Sequence, residues 1–192
     1  MSITVAIKGW FSRETSNEQL MLRYTKLRQR QVLAQLYENC GDDLYHFLLT
    51  LSDPDLASDV AQQAWVKVIE KSHLYRPDGQ FKSWLFTIGR RLLIDELRRQ
   101  ARYQYDEFDE QQYAAATLTS DDRLTRFNQI LDDLPFHQRE AFCLQQEGFS
   151  LAEISSICAA EQETIKSRLR YAKRKLNQAL SNAQASEDCR HD

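Results

Sequence analysis

Proline and glycine are scarce in this chain, three and five residues among 192. Both disrupt helix interiors, so their scarcity, alongside frequent Leu, Gln, Glu, Arg and Ala, predicts an all-α protein. The four cysteines, Cys40, Cys143, Cys158 and Cys189, form no Cys-x-x-Cys pair. That pattern argues against a disulfide framework and places the chain in a reducing cytoplasm. Cys189 and His191 share the tail, but two ligands do not make a zinc site, so no metal and no cofactor is expected. No segment approaches the roughly 18 consecutive apolar residues of a membrane span. The first residues carry no uninterrupted apolar stretch of the signal-peptide kind. A phosphate-binding glycine loop, His-Glu-x-x-His and Gly-x-Ser-x-Gly are all missing, and His46, His73, His137 and His191 are isolated in sequence. Neither catalysis nor a small-molecule substrate is therefore expected.

Charge of either sign is nearly balanced overall, with a net of −3, but unevenly placed. Residues 101–123 hold two basic and six acidic side chains, a local balance of −4. Residues 1–100 hold fourteen and twelve, and residues 124–180 eight and seven. An acidic connector thus separates two near-neutral stretches. The length fits one or two compact domains. The expected architecture is two small helical domains joined by a flexible linker. Their bounds are a disordered extension over 1–22, a first domain over 23–102, a linker over 103–122, a second domain over 123–180 and a disordered tail over 181–192.

Within this frame one stretch, TIKSRLRYAKRKL from Thr164 to Leu176, contains no acid. Ile165, Leu169, Ala172 and Leu176 share one helical face, with Lys166, Ser167, Arg170 and Arg174 opposite. One face packs and the other is cationic, as a helix laid in a DNA major groove requires. Just upstream, Ser150 and Glu153 form a capping box that opens a helix carrying Leu151, Ile154 and Ile157. Together the two helices read as a helix-turn-helix.

The first domain reads as further helices. Residues 20–51 carry helical periodicity, with Leu33, Leu36, Tyr37, Leu44, Phe47, Leu48 and Leu51 recurring at three- and four-residue steps. Asp53 and Pro54 then supply an N-cap and a first helical residue. The helix that follows buries Leu56, Ala57, Val60, Ala61, Ala64, Trp65, Val68 and Ile69, leaving Asp59, Gln62, Gln63 and Glu70 outside. Val66 sits alone in that polar face, a hint of a docking surface. Pro77-Asp78-Gly79 marks a turn. Beyond it Phe81, Trp84, Leu85, Ile88, Leu92 and Leu97 face inward on a helix whose other side collects Arg91, Asp95, Arg98, Arg99 and Arg102. Asp95 is four residues from both Arg91 and Arg99, so helical ion pairs explain it. In the second domain Leu124, Phe127, Ile130 and Leu131 mark one helix and His137 to Glu147 the next, with Gly148 as its C′ residue.

Three blocks, in order, resemble the sigma-70 family, and within it the two-domain extracytoplasmic-function (ECF) sigma factors. They are DVAQQAWVK from Asp59 to Lys67, FKSWLFTIGRRLLIDELRR from Phe81 to Arg99, and a region 4-like set. That set comprises Leu134-Pro135 with Arg139, FSLAEI from Phe149 and TIKSRLRYA from Thr164. The resemblance covers about residues 30–100 and 124–180.

It implies an RNA polymerase sigma factor that binds core RNA polymerase and promoter DNA. Asp59, Gln62, Gln63 and Val66 would dock on the polymerase. Arg90, Arg91, Arg98 and Arg99 would supply charge at the −10 element, with the loop 73–79 as the base pocket and Trp84 assigned to the core. Thr164, Lys166, Ser167, Arg168, Arg170 and Arg174 would grip or read the −35 element. An anti-sigma protein is the implied regulator. The acidic linker is a solvated tether on composition, and the family implies its passage through the polymerase cleft. Three residues depart from the family pattern: Arg91 replaces an Asn, Glu163 a Gly and Tyr171 an Arg, which leaves the promoter code open. The competing reading is a free-standing dimeric helix-turn-helix regulator that binds duplex DNA without polymerase.

Overall fold

The computed structural model describes residues 16–77, 80–103 and 129–188. Residues 1–15, Asp78 and Gly79, nearly all of the acidic linker, Leu124 and Phe127 lie outside the described residues. Every regular element among the described residues is helical. The N-terminal unit comprises α1 (Asn17–Leu27), α2 (Arg30–Leu49), α3 (Pro54–Lys71), a 3-10 turn (Ser72–Leu74) and α4 (Phe81–Tyr103). The C-terminal unit comprises α5, described over 129–132, then α6 (Phe136–Gln146), α7 (Leu151–Cys158) and α8 (Gln162–Asp188).

The helical periodicity of residues 20–51 falls on two helices, α1 and α2. Arg28 takes a left-handed backbone, φ 53°, and closes α1 through its N–H to the Tyr24 carbonyl. This conformation is costly for a residue with a Cβ, and tertiary contacts hold it. The Arg28 guanidinium lies 5.6 Å from the Tyr24 ring centroid and donates to the Ile69 carbonyl at 3.1 Å. Helical periodicity alone cannot register such a break.

Helix α1 also moves the domain boundary. It starts at Asn17, six residues before the expected domain start, because Leu20 and Met21 are buried in the core. Glu18 then reaches across to α4, accepting the Phe81 N–H at 3.0 Å. A residue 63 positions upstream thereby satisfies a donor at the N-terminus of α4, and the helix dipole favours a carboxylate there. Burial opposes ionisation of Glu18, but backbone hydrogen bonds from Glu18 itself and Phe81 outweigh it and hold the carboxyl below its usual range.

Local rules govern the other termini. Asp53 caps α3, accepting the Leu56 N–H at 2.9 Å, with Pro54 as first residue. Helix α6 ends in a Schellman motif: the Phe149 N–H donates to the Leu144 carbonyl and the Gly148 N–H to that of Gln145. Gly148 has φ +85°, the left-handed region in which glycine carries no Cβ penalty. Helix α8 continues to Asp188, through most of the tail expected to be disordered.

Helices α1 to α4 share one core built on Leu36, Leu44, Phe47, Val60, Trp65, Phe81 and Leu85. That apolar cluster continues without interruption into Phe136, Leu144, Phe149, Ile154, Ile157 and Ile165 of the C-terminal unit. A smaller cluster joins Ile130, Leu131 and Leu134 to Ala172 and Leu176 of α8. The two units therefore meet directly, where the sequence predicts only a flexible tether. Helix α4 explains the link: Phe86, Leu93 and Ile94 are buried in addition to the expected stripe, since α4 packs on both α3 and α7.

Candidate nucleic-acid interface

The outer face of α3 is uncovered. Asp59, Gln62, Gln63 and Val66 are all exposed, and Val66 retains 51% of its surface. The opposite face, Leu56, Ala57, Val60, Ala64, Trp65 and Val68, is buried. Ile69, expected inside, is 40% exposed and widens the apolar spot around Val66 by one helical step. Exposed Tyr37 of α2 packs its ring on Trp65, centroids 5.2 Å apart. A fixed, mixed polar and apolar patch results, held by a rigid helix.

Helix α4 divides its arginines. Arg91, Arg98 and Arg99 are exposed, and Arg99 is steadied on the helix by two hydrogen bonds to Glu96. The pair that forms is thus Arg99–Glu96, one position over from the expected Asp95. Arg90 turns the other way. Its side chain is only 12% exposed and forms a two-pronged ion pair with Glu140 of α6, Nε to Oε1 at 2.5 Å and Nη2 to Oε2 at 3.3 Å. Near the start of α4, Trp84 packs against Tyr75 and Phe81 with centroids 5.4 and 6.2 Å away and is half-buried at the edge of the core. Tyr75 anchors the loop from inside while Leu74 projects 59% exposed at its start.

The helix-turn-helix is built as its sequence predicts. Ser150 accepts the Glu153 N–H at 3.3 Å, and the Glu153 carboxylate accepts the Ser150 N–H at 2.9 Å. Ala159 closes α7 at φ 51° without the glycine usual there. Ile165, Leu169, Ala172 and Leu176 bury one face of α8, and Thr164, Lys166, Arg170 and Arg174 lie on the exposed surface. Ser167 and Arg168 are half-buried. Arg168 Nη1 is enclosed without a hydrogen-bond partner, which sets this arginine apart from its exposed neighbours. The two departures from the family pattern that fall on α8, Glu163 and Tyr171, both contact cations. Glu163 holds Lys166 Nζ at 2.5 Å, and the Tyr171 ring lies 5.4 Å from the Arg170 guanidinium and 4.8 Å from that of Arg174. Tyr171 is 42% exposed, so it presents both arginines from an aromatic platform.

Arg139, quoted above among the region 4-like residues, is fully buried and pairs with Asp132 at 3.2 Å. Burial dominates this pair, raising the Asp132 carboxyl above its ordinary range and lowering the Arg139 guanidinium. Its role is to tie α6 to the end of α5.

A second group was not legible as a site in the sequence: the junction between the units. Lys82 of α4 bridges Asp43 of α2 at 2.7 Å and Glu147 of α6 at 3.0 Å. Burial works against its charge, but the hydrogen bonds to Asp43 and Glu147 outweigh that and hold its ammonium above the ordinary lysine value. The same ammonium lies over the rings of Phe86 and Phe149, which meet edge to face at 4.9 Å. Deeper, the Glu140 side chain has no exposed surface and faces both Arg90 and His137 Nδ1, the latter at 3.2 Å. Burial alone would raise the Glu140 carboxyl; the His137 hydrogen bond and the charge and hydrogen bonds of Arg90 instead hold it below its ordinary value. One signal for this group exists in the sequence. Glu140 falls on the apolar stripe of Phe136, Cys143 and Leu144, and a carboxylate there requires a cationic partner.

Comparison with known proteins follows the same two blocks. Residues 36–103 match the model for Sigma-70 region 2, and residues 124–176 that for Sigma-70 region 4. The chain is 33% identical over 150 residues to the ECF RNA polymerase sigma factor EcfG of Rhodopseudomonas palustris, covering 74% of this chain and 81% of that one. It is 29% identical over 182 residues to the ECF RNA polymerase sigma factor SigK of Mycolicibacterium vanbaalenii, covering 88% and 92%. Among solved structures, the sigma factor RpoE of Bartonella quintana, crystallised with the anti-sigma factor NepR, matches with a TM-score of 0.65 at 29% identity, over 77% of this chain and 96% of that one. With both regions present, in order and on the helices their chemistry requires, the chain belongs to the sigma-70 family and is an ECF RNA polymerase sigma factor.

Proposed function

We propose that this sigma factor docks on core RNA polymerase through the α3 surface of Asp59, Gln62, Gln63 and Val66. Once docked, α4 and the loop at Leu74 to Pro77 engage the −10 element, while α8 grips the −35 element. The observation that carries this reading is the exposed α3 face. A helix buried on one side by six apolar residues leaves an unpaired valine among amides on the other, although nothing in the fold needs a patterned surface there.

The electrostatics agree. Arg91, Arg98 and Arg99 on α4 and Lys166, Arg170 and Arg174 on α8 present two separate cationic stripes on an acidic chain. Such stripes hold phosphate, and arginine adds bidentate contacts to guanine. Strand separation at −10 needs a cationic groove with a pocket for an unstacked base. The half-buried Arg168 serves better as a support for α8 than as a base reader. A protein inhibitor of the anti-sigma class, action in the cytoplasm and the absence of catalysis complete the proposal. Titrating labelled core polymerase with wild-type chain and with Gln62→Ala/Gln63→Ala tests it. The double variant is expected to bind at least tenfold more weakly with an unchanged circular-dichroism spectrum. Equal affinities would remove the α3 face from the interface.

A further inference from the structure

We propose that Tyr171 is a base-reading residue of α8: its ring takes the 5-methyl group of a thymine, while Arg174 takes the adjoining guanine and Arg170 a phosphate. The inference rests on the reading of α8 as the −35 helix. Nothing in the fold calls for an aromatic side chain at this position. The ring belongs to neither apolar cluster of the described residues and keeps 42% of its surface, whereas Ile165, Leu169, Ala172 and Leu176 cover the buried face of α8. It stands instead on the cationic surface, next to Arg170 and one helical turn before Arg174. Their guanidinium carbons lie 5.4 and 4.8 Å from its centroid.

The way these arginines are held decides what they can do. Arg99 of α4 gives donors to Glu96, and Lys166 of α8 is drawn onto Glu163. Arg170 and Arg174 have no carboxylate partner among the described residues; the Tyr171 ring restrains them instead. A π face attracts a guanidinium through its charge and takes none of its five N–H donors. Both arginines are therefore ordered and still carry full donor sets, which is the condition for bidentate contact with guanine O6 and N7. The ring itself leaves an apolar edge on the same exposed surface. The apolar group that base pairs present in the major groove is the thymine methyl. Successive base pairs rise by about 3.4 Å. A ring and a guanidinium 4.8 Å apart thus reach neighbouring pairs, and the unit suits a thymine beside a guanine. A cation in place of Tyr171 would add a phosphate contact and read no thymine.

Holoenzyme assembled from the full chain and core polymerase is selected on a duplex library randomised across the promoter region, and the enriched −35 segment is read by sequencing. Wild type should enrich a thymine adjoining a guanine. Fluorescence anisotropy then compares the enriched duplex with one carrying deoxyuridine for that thymine, which removes only the methyl group. The exchange should weaken wild-type binding about fourfold, the worth of one buried methyl. Tyr171→Ala should lose both the thymine preference and the deoxyuridine penalty, with an unchanged circular-dichroism spectrum. Tyr171→Phe should keep both, since the ring edge and not the hydroxyl makes the contact. Arg174→Lys should relax the guanine preference about tenfold; an unchanged preference removes Arg174 from the base contact. Equal affinity of wild type for the thymine and uracil duplexes overturns the proposal without any variant, and so does a thymine preference that survives in Tyr171→Ala. A ring with a structural role alone would lower affinity for every sequence alike and leave the deoxyuridine penalty in place. Transcription with no enriched −35 segment would overturn the reading of α8 itself, whereas an enriched segment indifferent to Tyr171→Ala overturns only the role of Tyr171.

Discussion

Replacing Glu140 with alanine takes the carboxylate from Arg90, which it holds at 2.5 and 3.3 Å, and from His137 at 3.2 Å. Glu140 has no exposed surface and Arg90 only 12%, so a guanidinium deprived of this carboxylate cannot be fully rehydrated without parting the helices. Breaking a buried ion pair from one side costs about 3–5 kcal/mol. The residual exposure of Arg90 places this case near the lower end, about 3 kcal/mol. Removing both charges differs: Arg90→Met with Glu140→Leu keeps the volume and desolvates nothing, so that variant should lie within about 1 kcal/mol of wild type. Because either single loss leaves a buried charge and the joint loss does not, the double variant should cost far less than the sum of Arg90→Met and Glu140→Leu measured singly. Urea unfolding of the full chain measures it. Circular dichroism follows all helices, whereas the described tryptophans, Trp65 and Trp84, sit only in the N-terminal unit and report whether the two units unfold together. The pH dependence has a fixed sign. A carboxylate held below its ordinary value in the fold contributes stability that is fully present above the unfolded pKa of about 4.3 and is lost as pH falls through the folded value. The gap between wild type and Glu140→Ala should accordingly shrink on acidification below about pH 5. A single-variant cost under about 1 kcal/mol, or a gap that widens in acid, refutes the reasoning.

Val66→Glu should leave folding within about 0.5 kcal/mol, since the side chain is half exposed, while weakening core-polymerase binding tenfold or more in an equilibrium titration. Lys166→Ala should make the salt dependence of −35 duplex binding shallower by about one counterion, whereas Glu163→Gln, which frees Lys166, should steepen it and raise affinity severalfold. Ala159→Gly relieves a left-handed alanine in the helix-turn-helix and should stabilise the chain by about 0.5–1 kcal/mol in urea unfolding, with DNA affinity unchanged.

Local features were legible in the sequence where one residue and its near neighbours decide them. The Asp53-Pro54 start of α3, the Ser150 capping box, Gly148 after α6 and the buried stripe of α8 all follow from short-range rules. What periodicity could not supply came from distant contacts. Arg28 breaks the first helical pattern because the Tyr24 ring and the Ile69 carbonyl reward its strained backbone. Glu18 joins the domain because it caps a helix 63 residues away. Arg90 looked like its neighbours on the helix, and only the approach of α6 gives it a buried partner. Glu140 was visible as a carboxylate out of place on an apolar stripe, but its partner was not.

On the proposed reading, this chain directs polymerase to promoters through three separate helical surfaces. The most direct measurement adds the purified full chain to core RNA polymerase with genomic template and maps transcript 5′ ends. Discrete start sites preceded by a shared pair of −35 and −10 elements are expected, absent without the chain and lost with Val66→Glu. Tight specific binding to duplex DNA by the chain alone, with no core binding and no new start sites, would contradict it.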